Sequence, residues 1–243
     1  MYNIEIHDNL INKAHIYKIY HYVQRQQWYG GFTPVEKDIF HYRPADNKNS
    51  DWMLKKTKSS GGVMHRCKLA TDKDMLEELH PPVYDIWQEI NQKLDNQFEL
   101  TGIPEGMHDE QAVDETWRVY VNGTFNYYLQ GPGYIHRDNH DLNDETSVTI
   151  ILFLNPIWYP SWQGYLRFYP DDVDGVIGDH QQFNSGYQQQ RDFDIGWLDE
   201  GRIVSPVPGR LIVYDGRSLH STTSCRTGLD VSSLKLVFRA RRK

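Results

Sequence analysis

The sequence predicts an α+β protein that is mainly β, in which helices support a sandwich or jelly roll. Apolar residues recur at helical spacing in much of the first hundred residues, and short alternating or wholly apolar runs follow. Turn-forming residues separate these runs, as expected for many short strands. Aromatic residues make up 13% of the 243 residues, which suits a β-rich core. We expect a single domain over residues 1–243, with a helical support region of about 1–100 and a β core of about 101–243.

Three helices are predicted before the β core. The first covers residues 10–28, with apolar positions at Ile11, Ile16, Ile19 and Val23. Thr71 begins the second, because the acidic residue Asp74 follows it by three positions. Pro81-Pro82 ends that helix and opens a third, which ends near Asn96. Its apolar stripe suggests packing against a sheet, and it consists of Val83, Ile86, Trp87, Ile90 and Leu94. Residues 42–61 are polar and predict a surface loop.

The strands of the β core are predicted from the change in apolar period. Residues 116–121 alternate and end in Asn122-Gly123, which is a turn signal. Residues 148–154 form a continuous apolar run, which predicts a strand buried on both faces or crowded by a helix. Further strands are predicted over residues 165–169, 210–214, 219–224 and 234–239.

Composition argues against several functional classes. The net charge of −7 and the pI near 5.9 do not favour a nucleic-acid or acidic-membrane partner. No leader and no apolar run near 18 residues occur, so we expect a cytoplasmic protein without a membrane partner. Cys67 and Cys225 match no C-x-x-C pattern, and two reduced thiols are expected.

The residues that carry chemistry are His136 and Asp138, followed much later by His220. Side chains two apart on an extended segment point to the same face. A histidine from a distant strand can complete a facial set of two histidines and one carboxylate, which holds Fe(II) and leaves positions open. By itself the H-x-D spacing is weak evidence for a metal site.

Five short segments in order make that evidence stronger, because together they resemble the Fe(II)/2-oxoglutarate-dependent dioxygenases, specifically the prolyl-4-hydroxylase-like branch. The resemblance covers about residues 117–239, half of the chain. Its segments are Tyr120–Gly123, His136–Asn139, Val148–Asn155, Gln163–Pro170 and Pro208–His220. Gln163 stands where the family has the first glycine of a Gly-Gly pair.

The resemblance implies a double-stranded β-helix with His136, Asp138 and His220 as the iron ligands. It also implies 2-oxoglutarate and O2 as cosubstrates, succinate and CO2 as products, and ascorbate as a further candidate cofactor. The expected reaction is hydroxylation of a C–H bond in a peptidyl, prolyl-like substrate or in a small molecule. The motifs do not distinguish these substrates.

The cation for the distal carboxylate of 2-oxoglutarate is less well marked. The family places an Arg or Lys near the start of the last strand, where this sequence has Ser233. Lys235 shares the strand face of Ser233 and is the first candidate, followed by Arg239 and Arg226. A tyrosine that often helps to bind this carboxylate aligns with Phe153, a second departure from the family.

Two other interpretations remain open. A cupin-like metal protein would show H-x-H and a later Glu, and Asp138 disfavours it. A degenerate jelly roll that acts as an interaction protein would keep the fold without the cosubstrate site. Ser233 supports this hypothesis, because the expected cation is absent from that position. By family analogy, the polar residues 171–200 would form a loop over the site.

Overall fold

The protein is described by a computed structural model over residues 3–26, 29–32, 43–44, 63–101, 118–125, 137–139, 142–169, 202–222 and 233–243. Of the predicted loop 42–61, residues 43–44 form a short strand, and the rest lies outside these ranges, as does the predicted loop 171–200. Among the described residues, no helix is long and apolar enough to cross a membrane.

The region 1–100, predicted as a helical support region, contains five strands as well as helices in the described part of the chain. The strands were missed because pairing with segments distant in sequence, and not local pattern, stabilises them. Its three helices were predicted. They are α1 (Lys13–Gln24), α2 (Lys73–Leu79) and α3 (Pro81–Lys93). Helix α1 is shorter than the predicted range 10–28, because Asn12 caps it by accepting a hydrogen bond from the Ala14 amide at 2.8 Å. The cap of α2 is Asp72, one residue later than the predicted Thr71. The Asp72 carboxylate accepts from the Met75 amide at 2.8 Å, and the Thr71 hydroxyl donates to Asp72.

The strands of the described residues form two antiparallel sheets. The strands of the large sheet are β1 (Ile4–His7), β2 (Tyr29–Phe32), β3 (Arg43–Pro44), β4 (Val63–Ala70), β5 (Phe98–Leu100), β6 (Val119–Phe125), β7 (Ser147–Phe153), β10 (Leu211–Asp215) and β12 (Ser233–Arg242). Their order is β1-β10-β7-β12-β6-β4-β2-β3, with β5 paired to β12. The strands of the small sheet are β8 (Leu166–Phe168), β9 (Arg202–Val204) and β11 (His220–Thr222), and their order is β11-β8-β9.

The turn predicted at Asn122-Gly123 is wrong, because β6 continues through both residues to Phe125. Asn122 pairs with Lys235 on one side and with Arg66 on the other, and Gly123 pairs with Leu234 and His65. The preference of Asn-Gly for tight turns is local. Pairing with β4 and β12 satisfies the backbone N–H and C=O groups of β6 on both sides, and this outweighs the local turn preference.

Two cores lie on opposite faces of the large sheet. The outer face packs against the helices, and the inner face packs against the small sheet. Strand β7 belongs to both cores and is buried from Val148 to Phe153, as its apolar run predicts. The inner core is the smaller of the two and consists of Ile4, Tyr120, Ile151, Phe153, Leu166, Phe168, Val204, Ile212, Tyr214 and Val237.

The predicted fold class is confirmed. The protein is mainly β, and its two antiparallel sheets enclose the inner core as in a jelly roll, with helices behind the large sheet. The inner face of the large sheet and the facing strand β11 therefore determine what surrounds the predicted site.

Candidate metal centre

The segment that carries Asp138 is tied to the turn between β10 and β11. The Asn139 amide donates to the Gly216 carbonyl at 2.8 Å, and the Arg137 side chain donates to the Arg217 carbonyl. The Asn139 side chain also donates to the Asp144 carboxylate at 3.1 Å. These contacts hold the backbone beside Asp138 against the turn that leads into β11.

The Asp138 carboxylate is buried, with 4% of its side chain exposed. Its Oδ2 accepts hydrogen bonds from the Tyr214 hydroxyl at 2.6 Å and from the Thr149 hydroxyl at 2.7 Å. Its Oδ1 lies 2.7 Å from Nη2 of Arg239. Thr149 is the register partner of both Tyr214 and Arg239, so one row across β10, β7 and β12 surrounds the carboxylate.

His220 approaches the same carboxylate from the small sheet. Its Nε2 lies 3.7 Å from Asp138 Oδ2, and its Nδ1 lies 3.0 Å from the Ser218 carbonyl oxygen. A carbonyl oxygen can only accept, so Nδ1 carries the hydrogen, and in a neutral ring Nε2 presents its lone pair toward Asp138. This is the arrangement by which a histidine is oriented as a metal ligand.

Tyr214 remains a hydroxyl donor in this environment. Burial raises its pKa well above the usual value, and the negative charge of Asp138 raises it further. Its oxygen lies 2.6 Å from Asp138 Oδ2 and 3.3 Å from His220 Nε2, between the two candidate ligands. The phenol therefore contacts both groups without adding a charge.

Two of the three predicted metal ligands, Asp138 and His220, are brought together. His136 lies outside the described residues. Within the described ranges, no group of three metal-ligating side chains is present. The described pair supplies one carboxylate oxygen and one imidazole nitrogen, both of which suit iron.

The three predicted cosubstrate cations differ in position. Lys235 lies on the inner face of β12, is 3% exposed, and pairs in register with Phe153. Arg239 lies on the same face but contacts Asp138. Arg226 lies outside the described residues. Ser233, the position at which the family has its cation, is fully buried.

Thr149 and Tyr214 belong to the site but were not predicted from the sequence. Thr149 is the single polar residue in the apolar run 148–154, and this interruption was a usable signal. A buried hydroxyl in a strand needs a hydrogen-bond partner, which here is Asp138. Tyr214 carried no comparable signal, because a tyrosine at the end of a buried strand commonly belongs to the core.

Solved structures of the same fold are found by comparison. An oxidoreductase of the 2OG-Fe(II) oxygenase family from Burkholderia pseudomallei has a TM-score of 0.54 at 10% identity, over 99% of this chain and 85% of its own. AviO1 from Streptomyces viridochromogenes Tue57 has a TM-score of 0.51 at 15% identity, over 99% and 90%. A prolyl-4-hydroxylase from Pseudomonas putida has a TM-score of 0.47 at 14% identity, over 100% and 94%.

No family model matches the sequence, and no curated protein matches it. At identities of 10% and 15%, the Burkholderia and Streptomyces proteins, whose TM-scores exceed 0.5, establish a shared fold. The chain thus has the jelly-roll fold that 2-oxoglutarate-Fe(II) oxygenases use.

Proposed function

We propose that the protein is an Fe(II)- and 2-oxoglutarate-dependent dioxygenase that hydroxylates a C–H bond. The observation that carries this proposal is the buried pair of Asp138 Oδ2 and His220 Nε2, which lie 3.7 Å apart. The Ser218 carbonyl holds the other ring nitrogen, so His220 is oriented for ligation. His136 precedes Asp138 by two residues and would complete the facial set.

The side chains of this protein are of the types that bind iron and 2-oxoglutarate. His136, Asp138 and His220 would hold the iron, and Lys235 would hold the distal carboxylate of 2-oxoglutarate. Bound iron with 2-oxoglutarate and O2 supplies the oxidising power for hydroxylation, and the cosubstrate leaves as succinate and CO2. Lys235 suits its role because it is a buried cation on the inner face, about 13 Å along the strand from Arg239.

The substrate proposal is a peptidyl, prolyl-like residue or a small molecule. The inner core that surrounds the site is apolar and aromatic, with Phe168 and Tyr214 against His220 at ring-centroid distances of 6.0 and 5.1 Å. Such walls exclude water and favour an uncharged reacting group. Succinate release in the presence of prolyl peptides or of small molecules distinguishes the two substrate classes.

A second candidate function is an interaction protein that keeps the jelly roll without oxygenase activity. The observation that favours it is the saturation of Asp138 by the protein itself. Arg239, Thr149 and Tyr214 all contact the carboxylate, and such a buried ion pair can be purely structural. The two functions differ in whether the protein binds metal.

An anaerobic titration with Fe(II) and then 2-oxoglutarate tests the proposed function. We expect a weak visible charge-transfer band that forms only when both are present. His220→Ala should abolish it. His15→Ala is the matched control, because it also removes an imidazole, from an exposed position on α1. A protein that binds no Fe(II) would contradict the dioxygenase and support the interaction protein. Iron binding without the band would contradict 2-oxoglutarate as cosubstrate.

A further inference from the structure

We propose that Arg239 is a positioning residue for Asp138 and that it does not bind the cosubstrate. This inference rests on the proposed function, because it concerns how Asp138 is presented to iron. It assigns Arg239 a role different from the one its place on the last strand predicts.

Arg239 holds Asp138 at two points. Its Nη1 donates to the Asp138 backbone carbonyl at 2.7 Å, and its Nη2 lies 2.7 Å from Oδ1 of the same residue. A planar guanidinium with donors in a fixed fork therefore ties the main chain and the side chain of Asp138 together. Nη2 also donates to the Tyr120 hydroxyl at 3.3 Å, a third contact of the same guanidinium.

The two carboxylate oxygens of Asp138 have different surroundings as a result. Oδ1 is held by the charged guanidinium, whereas Oδ2 faces His220 Nε2 at 3.7 Å. The groups on Oδ2 are the hydroxyls of Thr149 and Tyr214. A hydroxyl can rotate to another acceptor, but an arginine held at two points cannot leave so easily. Arg239 thus reserves Oδ2 as the oxygen that ligates the metal.

The same geometry separates Arg239 from the cosubstrate. Two of its donors are directed at Asp138, and Lys235 is a second buried cation on this strand face in the described part of β12. Arg241 shows what a less specific contact looks like on the same face. Its Nη2 lies 3.7 Å from the Asp144 carboxylate, and 54% of its side chain is exposed.

Metal affinity measured separately from cosubstrate affinity tests this inference. Co(II) titration followed by its visible absorption gives the metal Kd and reports the coordination geometry. We expect R239Q to weaken Co(II) binding about 10- to 100-fold, as the loss of a group that orients a ligand does. The absorption spectrum should also change, because Oδ1 becomes available to the metal. R239K keeps the charge but not the fork and should recover only part of the affinity.

The 2-oxoglutarate affinity of the Co(II)-saturated protein should stay within about 2-fold of wild type in R239K, and K235M should lower it strongly. R241Q is the matched control and should leave both affinities unchanged. Circular dichroism and thermal melting establish that each variant is folded. If R239Q does not fold, the metal and 2-oxoglutarate affinities of R239K test the inference.

The results that would overturn this inference can be distinguished from those that would overturn the proposed function. Wild-type metal affinity with lost 2-oxoglutarate affinity in both Arg239 variants would make Arg239 the cosubstrate cation. If the Co(II) affinity, the absorption spectrum and the 2-oxoglutarate affinity were all unchanged, the Arg239–Asp138 ion pair would be purely structural. Either result overturns this inference alone. A wild-type protein that binds no Co(II) overturns the proposed function and this inference with it.

Discussion

The two faces of strand β12 carry different parts of the protein's chemistry. Its outer face is apolar and packs against the helices, with Leu234, Leu236, Phe238 and Ala240 all in the outer core. Its inner face alternates with these residues and is polar at Ser233, Lys235 and Arg239, with Val237 between them. Burial of apolar groups is favourable, whereas burial of polar and charged groups costs free energy unless they are paired. One strand therefore stabilises the fold on one side and builds the candidate site on the other.

Truncation of the outer face should produce the largest loss of stability. Phe238 is fully buried and packs 5.2 Å from the Trp87 ring, centroid to centroid. We expect Phe238→Ala to lower the free energy of unfolding by about 3–5 kcal/mol. Urea denaturation measures this, and the folded variant should bind metal with wild-type stoichiometry. Loss of metal binding in protein that is still folded would mean that the two faces are not independent.

Removal of the inner carboxylate should affect both metal binding and stability. Asp138→Ala should abolish metal binding and lower the free energy of unfolding by about 2–3 kcal/mol, because Arg239 is left without its charged partner. The double variant Asp138→Ala with Arg239→Met should recover part of this stability but none of the metal binding. Additive stability losses in the double-mutant cycle would show that the pair is not coupled.

Alanine substitutions at two glycines, one near each face of the large sheet, should have smaller effects on stability and should differ in their effect on metal binding. A Cβ at Gly209, where φ is +74°, would meet Ile16 Cδ1 of α1 at 2.6 Å. A Cβ at Gly216 would meet Ser147 Oγ at 2.5 Å and Asn139 Cβ at 3.3 Å, beside Asp138. We expect each alanine variant to cost about 1–2 kcal/mol, from strain or displacement. Gly216→Ala should also weaken metal binding, and Gly209→Ala should not. The reverse pattern would contradict the assignment of the faces.

The smallest effect concerns the thiol of Cys67 in the outer core. Burial raises its pKa from 9.0 to about 12. The folded state thus keeps its proton between these values while the unfolded state loses it, so Cys67 lowers stability as pH rises above 9.0. Native protein treated with iodoacetamide at pH 8 should show no label on the Cys67 peptide by mass spectrometry, and denatured protein should show full labelling. Rapid labelling of native protein would mean that the outer core opens easily.

In the described part of the chain, the sequence identified the three helices and six of the twelve strands, but not β1–β5 or β9. Helix α3 was predictable because its apolar residues repeat every three or four positions after two prolines. Strand β7 was predictable because a run of seven residues with one polar member must be buried. The Asn122-Gly123 turn was predicted wrongly, because local preference contains no information about the strands that pair on either side.

The sequence by itself determined which residue types could hold a metal, because the H-x-D spacing and the later histidine are read directly from it. It also determined the alternation that places Lys235 and Arg239 on one face of β12. Only the tertiary structure decided that Arg239 contacts Asp138 and that Tyr214 and Thr149 share its other oxygen. The physical reason is that a strand's period determines which face a side chain takes, whereas the packing of distant segments determines what it meets there.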